Sequence, residues 1–88
     1  MTNEKKSELI NLEKKLAIYE ETKRGYEELI EKYDIKHETM MMPYNYKGER
    51  RERPMSPEEQ NYMVEDIKNS YKEILEEIEN IKAKINVA

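Results

Sequence analysis

Two stretches of this sequence carry apolar residues at alternating spacings of three and four, and this pattern constrains the fold more than any other feature. Such spacings place side chains along one face of an α-helix, as in the seam of a coiled coil. The pattern therefore predicts two long amphipathic helices. The first seam comprises Leu9, Leu12, Leu16, Tyr19, Lys23, Tyr26, Ile30 and Tyr33, and the second comprises Val64, Ile67, Tyr71, Ile74, Ile78, Ile81, Ile85 and Ala88.

The ends of these helices are marked by residues that start or stop helical structure. Ser56 can cap a helix, Pro57 suits the first helical position, and Glu59 stands where a capping box requires it. The first helix must stop before Pro43, because proline cannot continue a helix. We predict one domain over residues 1–88, with a helix over about 3–40, a tip loop over about 43–55 and a helix over about 57–86.

The simplest way to bury both seams is to pack the two helices antiparallel. In that arrangement Tyr33 faces Val64 and Tyr26 faces Tyr71. The predicted fold class is all-α, an antiparallel two-helix coiled-coil hairpin. The alternative is that each helix pairs with another chain.

Apolar residues outside the seams predict that the hairpin self-associates. An isolated pair of helices in a chain of 88 residues is marginally stable. A second apolar stripe would let several hairpins assemble into a helical bundle, so we expect a homo-oligomer. The residues of that stripe are Ile10, Ile18, Leu29, Tyr62, Met63 and Leu75.

Composition excludes several functional classes. The chain has no cysteine, which excludes disulfides and thiolate metal sites. Its longest apolar run, residues 40–43, is far shorter than the roughly 20 residues that span a bilayer. The first six residues are polar and no apolar segment follows them, so we expect no signal peptide. A cytoplasmic protein without membrane association is the expectation.

The tip loop is long and basic. A turn between antiparallel helices needs about 2–8 residues. Residues 43–54 contain four cations and two glutamates, a net charge of +2, so the rest of the chain carries −6 of the total of −4. Arginine binds carboxylate or phosphate through a two-pronged fork, and tyrosine adds a flat stacking surface. The predicted partner- or anion-binding residues are Tyr44, Tyr46, Lys47, Arg50, Arg51 and Arg53. The alternative is a solvated loop whose arginines and glutamates pair with one another.

A second candidate site lies on the first seam at Tyr19, Lys23 and Tyr26. Its simplest interpretation is core packing of the tyrosines. The alternative is a ligand cleft charged by Lys23, because a lysine in a seam is costly to bury. His37 is the only histidine and has no visible partner for catalysis or metal binding. We expect no catalytic residue, no metal, no cofactor and no enzymatic activity.

The run Arg53-Pro54-Met55-Ser56-Pro57-Glu58-Glu59, followed by Ile67-Lys68, loosely resembles the start of the hairpin in phage-encoded proteins that sequester cyclic nucleotide signals. The resemblance implies a phage inhibitor that acts as an oligomeric sponge and holds a nucleotide between protomers.

The functional expectation is a protein-interaction or inhibitor module. Its basic tip would bind an acidic or phosphate-bearing partner, either a protein or a nucleotide-like anion. One alternative is the nucleotide sponge, and another is a structural coiled-coil scaffold with a passive loop. The negative rod disfavours double-stranded nucleic acid, since it would repel the phosphate backbone.

Overall fold

The computed structural model describes residues 3–87 and consists of two long helices joined by a β-hairpin. Helix α1 spans Asn3–Ile30 and continues into one π-helical turn over Glu31–Ile35. Strands β1, Met41–Tyr46, and β2, Glu49–Pro54, form the hairpin, and helix α2 spans Pro57–Val87. The molecule is elongated, with dimensions of 60 × 31 × 16 Å. Neither helix of the described range is long and apolar enough to cross a membrane.

The helices pack antiparallel along the two seams. Every seam residue from Leu9 to Ile85 is buried or half-buried, while Ala88 lies outside the described residues. The deepest side chains are Ile78 and Ile81, which are only 4% and 3% exposed. Spacings of three and four thus produce a continuous but narrow core between two helices, with solvent on both sides of it.

Polar contacts border this core along one side. The Tyr71 hydroxyl donates a hydrogen bond to Glu27 Oε2 at 3.0 Å, and this bond raises the tyrosine pKa because it stabilises the protonated hydroxyl beside a carboxylate. Lys68 Nζ lies 2.8 Å from Asp34 Oδ2. Both contacts join α1 to α2 and are partly exposed, so they orient the helices more than they stabilise them.

Helix α2 begins at the capping box that the sequence contains. The backbone N–H of Glu59 donates to Ser56 Oγ at 3.2 Å, and the N–H of Ser56 donates to Glu59 Oε1 at 3.2 Å. Pro57 occupies the first helical position, where a missing N–H costs no hydrogen bond.

Helical structure in the first half of the chain ends at Ile35, whereas the sequence predicts about residue 40. The hydrogen bonding first changes from the α-helical to the wider π-helical pattern, since the N–H of Lys36 donates to the carbonyl of Glu31 at 2.9 Å. His37 then adopts a left-handed conformation with φ of 56°. The N–H of Glu38 turns back to the carbonyl of Lys32 at 3.1 Å, a helix-ending wrap like a Schellman motif with one extra residue.

The all-α prediction is wrong, because the segment assigned to a tip loop is a two-stranded antiparallel sheet. The turn residues Lys47 and Gly48 both have positive φ, 50° and 79°. Two such residues make a type I′ turn, whose twist matches that of paired strands. The turn therefore directs residues 41–46 and 49–54 into an antiparallel ladder in place of an irregular loop.

Both prolines of the hairpin occupy positions where they interrupt no hydrogen bond between the strands. The N–H of Met55 donates to the carbonyl of Met40 at 2.8 Å, which fixes the first hydrogen-bonded pair. Since bonded and non-bonded pairs alternate, Pro43 and Pro54 fall at non-bonded positions that face outward. Each proline therefore removes an N–H only from an outer edge, where a free N–H would invite another strand.

Gln60 of α2 holds the base of the hairpin against the end of α1. Its side-chain oxygen accepts the N–H of Met40 at 2.9 Å. Its amide nitrogen donates to the carbonyl of Glu38 at 2.7 Å and to that of Tyr33 at 3.4 Å. One half-buried side chain thus satisfies three backbone groups from the segment between α1 and β1.

The six off-seam residues do not share one face. Leu75 is half-buried and the other five are exposed. At about 100° per residue, Ile18 and Leu29 lie on the same flank of α1, and Ile10 lies about 100° away from Leu29. A single second stripe built from all six residues is therefore not present.

Candidate anion-binding hairpin

The strand register sorts the side chains of the hairpin onto two faces. Residues directly opposite each other in an antiparallel pair share a face, and neighbours along a strand alternate. The face that we call the tyrosine face carries Met42, Tyr44, Tyr46, Glu49, Arg51 and Arg53. The opposite face, called the proline face, carries Met41, Pro43, Asn45, Arg50, Glu52 and Pro54.

Two of the cations lie against the ring of Tyr46 at the end of the tyrosine face. The guanidinium carbon of Arg51 lies 4.9 Å from the centre of the Tyr46 ring, and Lys47 Nζ lies 5.4 Å from it. Both distances fit a cation–π contact, which orients the two cations without neutralising them. Arg51 also reaches Glu49 Oε2 at 3.3 Å, but both side chains are more than half exposed, so this pair exchanges readily with another anion.

Arg53 is engaged within the molecule. Its guanidinium forms a two-pronged contact with Glu59, with Nη1 to Oε1 at 3.1 Å and Nη2 to Oε2 at 3.0 Å. It also donates to the carbonyl of Pro54 at 3.3 Å and to the sulfur of Met42 at 3.1 Å. The sequence groups Arg53 with the other tip cations, but in the structure it ties the base of the hairpin to the first turn of α2.

The same contact perturbs the ionisation of Glu59. Hydrogen bonds from Arg53, and then from the backbone and hydroxyl of Ser56, lower the pKa of this carboxyl from 4.5 to about 2. The position at the start of α2 favours the carboxylate further, because the N-terminal end of a helix is positive. Glu59 thus remains charged in the docked hairpin at pH values well above 2.

This ionisation gives a pH prediction. A carboxyl whose pKa is depressed by folding adds stability above its unfolded pKa and loses that contribution as pH falls through the folded value. We expect the docking contact to weaken between about pH 4.5 and pH 2. NMR titration of the Glu59 side-chain carbon should give a midpoint near 2, and in Arg53→Gln the midpoint should rise towards 4.5. An unchanged midpoint in Arg53→Gln would contradict this assignment.

Arg50 stands on the proline face without an internal partner. Its side chain forms no ion pair or hydrogen bond with any residue between 3 and 87. It lines a shallow groove of about 310 Å³ together with Pro43, Tyr44 and Asn45. Arg50 is therefore the tip arginine that is most available to an external anion.

The structure does not assemble the alternative cleft at Tyr19, Lys23 and Tyr26. All three residues are half-buried, as seam residues should be. An open groove of about 350 Å³ does pass Lys23, but neither tyrosine lines it. The groove is lined by Glu20, Lys23, Arg24, Ile78 and Lys82. The nucleotide sponge, which would hold its ligand between protomers, stays a prediction.

Two further features concern the ligands that the described residues could bind. A cleft of about 720 Å³ opens at the far end of the rod, and it is lined by exposed or half-buried residues of the two helices, among them Glu8, Asn11, Leu12, Lys15, Lys84 and Val87. Between residues 3 and 87 no group of three histidine or acidic side chains could hold a metal ion.

Comparisons with protein-family models, with curated proteins and with solved structures gave no match. The function of the chain must therefore be inferred from its own geometry and charge.

Proposed function

We propose that this protein is a non-enzymatic interaction or inhibitor module that uses its basic hairpin to bind carboxylates or phosphates on a protein partner. Lys47, Arg50 and Arg51 supply the charge, while Tyr44 and Tyr46 supply flat contact surface. The observation that carries the proposal is an ordered hairpin with exposed cations at one end of an otherwise negative rod. The positively charged tip attracts an acidic partner and the negatively charged helices repel it, so the partner is steered to the tip.

Docking of the hairpin onto α2 supports this function. Gln60 and the contact between Arg53 and Glu59 fix the base of the hairpin before any partner arrives. A surface that is already ordered loses less conformational entropy on binding than a flexible loop. In this proposal Arg53 positions the hairpin and does not contact the partner.

The cations point in two directions, which favours a partner that contacts both faces. Arg51 and Lys47 accompany Tyr46 on the tyrosine face, whereas Arg50 lies on the proline face. An acidic or phosphorylated segment that passes over the turn can reach all three. We further propose that the module works in the cytoplasm, since a chain without cysteine needs no oxidising compartment.

Charge reversal at the tip should abolish most of this binding. We expect Arg50→Glu combined with Arg51→Glu to weaken binding about tenfold or more, because each exposed charged contact contributes up to about 1 kcal/mol. The measurement is fluorescence anisotropy with two labelled probes, a hexaglutamate peptide and a phosphoserine peptide, at fixed salt concentration. Stronger binding of one probe would tell carboxylate from phosphate recognition.

The matched control is Lys6→Glu combined with Lys72→Glu, which changes the net charge equally but leaves the tip intact. Arg50→Gln combined with Arg51→Gln removes the charge without adding repulsion to Glu49 and Glu52. Equal loss in the control and the tip variants would indicate a general charge effect and refute the proposal. So would failure of wild-type protein to bind either probe at low salt.

A further inference from the structure

The isolated chain exposes more surface than its mass accounts for. Its accessible surface is 7257 Å², whereas a compact monomer of 10.7 kDa exposes about 5,500 Å². Its radius of gyration of 18.7 Å likewise exceeds the roughly 12 Å of a compact domain of this length. The excess is about 1,750 Å² per chain, and a standard interface covers about 800 Å² on each partner. This excess is about twice the area of one standard interface, so the chain has more than enough surface for an interface with a second copy.

One flank of α1 is uncharged over several turns. Ile18, Thr22, Gly25 and Leu29 follow spacings of four, three and four, so they share one face of the helix. Ile18 is 64% exposed and Leu29 is 38% exposed. We call these four residues the α1 flank. The contacts of Glu27 and Asp34 with α2 lie on the other side of the hairpin, and the α1 flank takes no part in them.

Gly25 is the least expected residue of this flank. A glycine in the middle of a helix lowers helix stability relative to alanine, and no contact among the described residues 3–87 requires one here. A Cβ atom built on Gly25 would meet no atom of residues 3–87 within 4 Å, apart from its chain neighbours and the backbone of its own helix. This glycine lowers helix stability and has open space beside it, which is the arrangement expected where a helix of another chain approaches closely.

We propose that a second copy of this chain packs on the α1 flank, with the two α1 helices antiparallel across a two-fold axis near Thr22 and Gly25. The small residues then lie at the crossing, and Ile18 of each copy lies near Leu29 of the other. In a two-fold contact the same surface of each copy meets itself, so that surface must be complementary to itself. The uncharged α1 flank meets this condition, whereas a face with charges of one sign would repel its own copy. This dimer places two basic hairpins at opposite ends of one particle, a consequence that goes beyond the proposed function.

Sedimentation equilibrium on the full chain, across micromolar to millimolar concentrations, tests the dimer. Wild-type protein should have twice the mass of one chain. Leu29→Lys should raise the dissociation constant at least tenfold. Gly25→Leu should do the same, although leucine favours helix, because its side chain blocks the crossing. The matched control is Ile10→Lys, since Ile10 is 42% exposed but lies off the flank, and this variant should remain dimeric.

Three results would overturn the dimer. The first is wild-type protein at the mass of one chain throughout, and the second is a mass above two chains. The third is dissociation by Ile10→Lys as strong as by Leu29→Lys. Circular dichroism on each variant identifies unfolding, and Gly25→Leu keeps the test decisive if Leu29→Lys fails to fold. Tip binding is measured separately, so failure here leaves the proposed function standing.

Discussion

Replacing Gln60 with leucine will lower the free energy of unfolding by about 2–4 kcal/mol. The substitution keeps the size of the side chain but removes the partners of the Met40 N–H and of the carbonyls of Tyr33 and Glu38. A buried polar group left without a partner costs about 1–3 kcal/mol. This cost applies to the N–H of the buried Met40 and to the part-buried Tyr33 carbonyl, whereas the carbonyl of the exposed Glu38 can bind water. Urea denaturation followed by circular dichroism, at one fixed protein concentration, measures the loss.

Asn61→Leu is the matched control for this prediction. Asn61 is the next residue on α2, it is exposed, and its side chain forms no hydrogen bond with residues 3–87. We expect a change within about 0.5 kcal/mol for that variant. Similar losses for Gln60→Leu and Asn61→Leu would show that Gln60 does not hold the junction.

Truncation of Ile78 to alanine will have an effect of comparable or larger size. Ile78 is 4% exposed at the middle of the helix pair, so its removal leaves a cavity that the flanking seam residues cannot fill. Such truncations cost about 2–5 kcal/mol, much of the stability of so small a domain. We expect thermal denaturation to show a large drop in midpoint or loss of cooperative unfolding.

Ile10→Ala makes the same chemical change on an exposed surface, where Ile10 is 42% accessible to solvent. Its expected effect is within about 0.5 kcal/mol. If Ile78→Ala were equally mild, the seam would not be the core of the fold.

The helices could be anticipated from the sequence because their signals are periodic and local. The seam spacing identifies which residues are buried, and the run from Ser56 to Glu59 identifies the start of α2. These signals depend only on neighbours within one or two helical turns, so they can be recognised without the tertiary structure.

The β-hairpin was missed because its turn lacks the usual chemistry. Type I′ turns favour Asn-Gly or Asp-Gly, whereas this chain has Lys47-Gly48 with the lysine at positive φ. A period-two signal was present, since Met42, Tyr44 and Tyr46 alternate with other residues. This signal is confined to one strand, because Glu49–Pro54 contains no alternation of apolar and polar residues.

The contacts that dock the hairpin depend on pairings far apart in sequence. Gln60 contacts the backbone of Tyr33, which is 27 residues away, and no periodicity indicates that pairing. The fork between Arg53 and Glu59 spans six residues across a strand, a turn and a helix start. Sequence composition therefore grouped Arg53 with the free cations, and only the folded geometry separates it from Arg50.

Anion binding by the hairpin is tested most directly by an NMR titration of uniformly ¹⁵N-labelled protein with the phosphoserine peptide and, separately, with hexaglutamate. We expect saturable amide shifts concentrated between Tyr44 and Arg51, with little change along α1 and α2. Shifts centred on the groove at Lys23, or at the far end of the rod near Lys84, would contradict it. So would the absence of any shift at low salt.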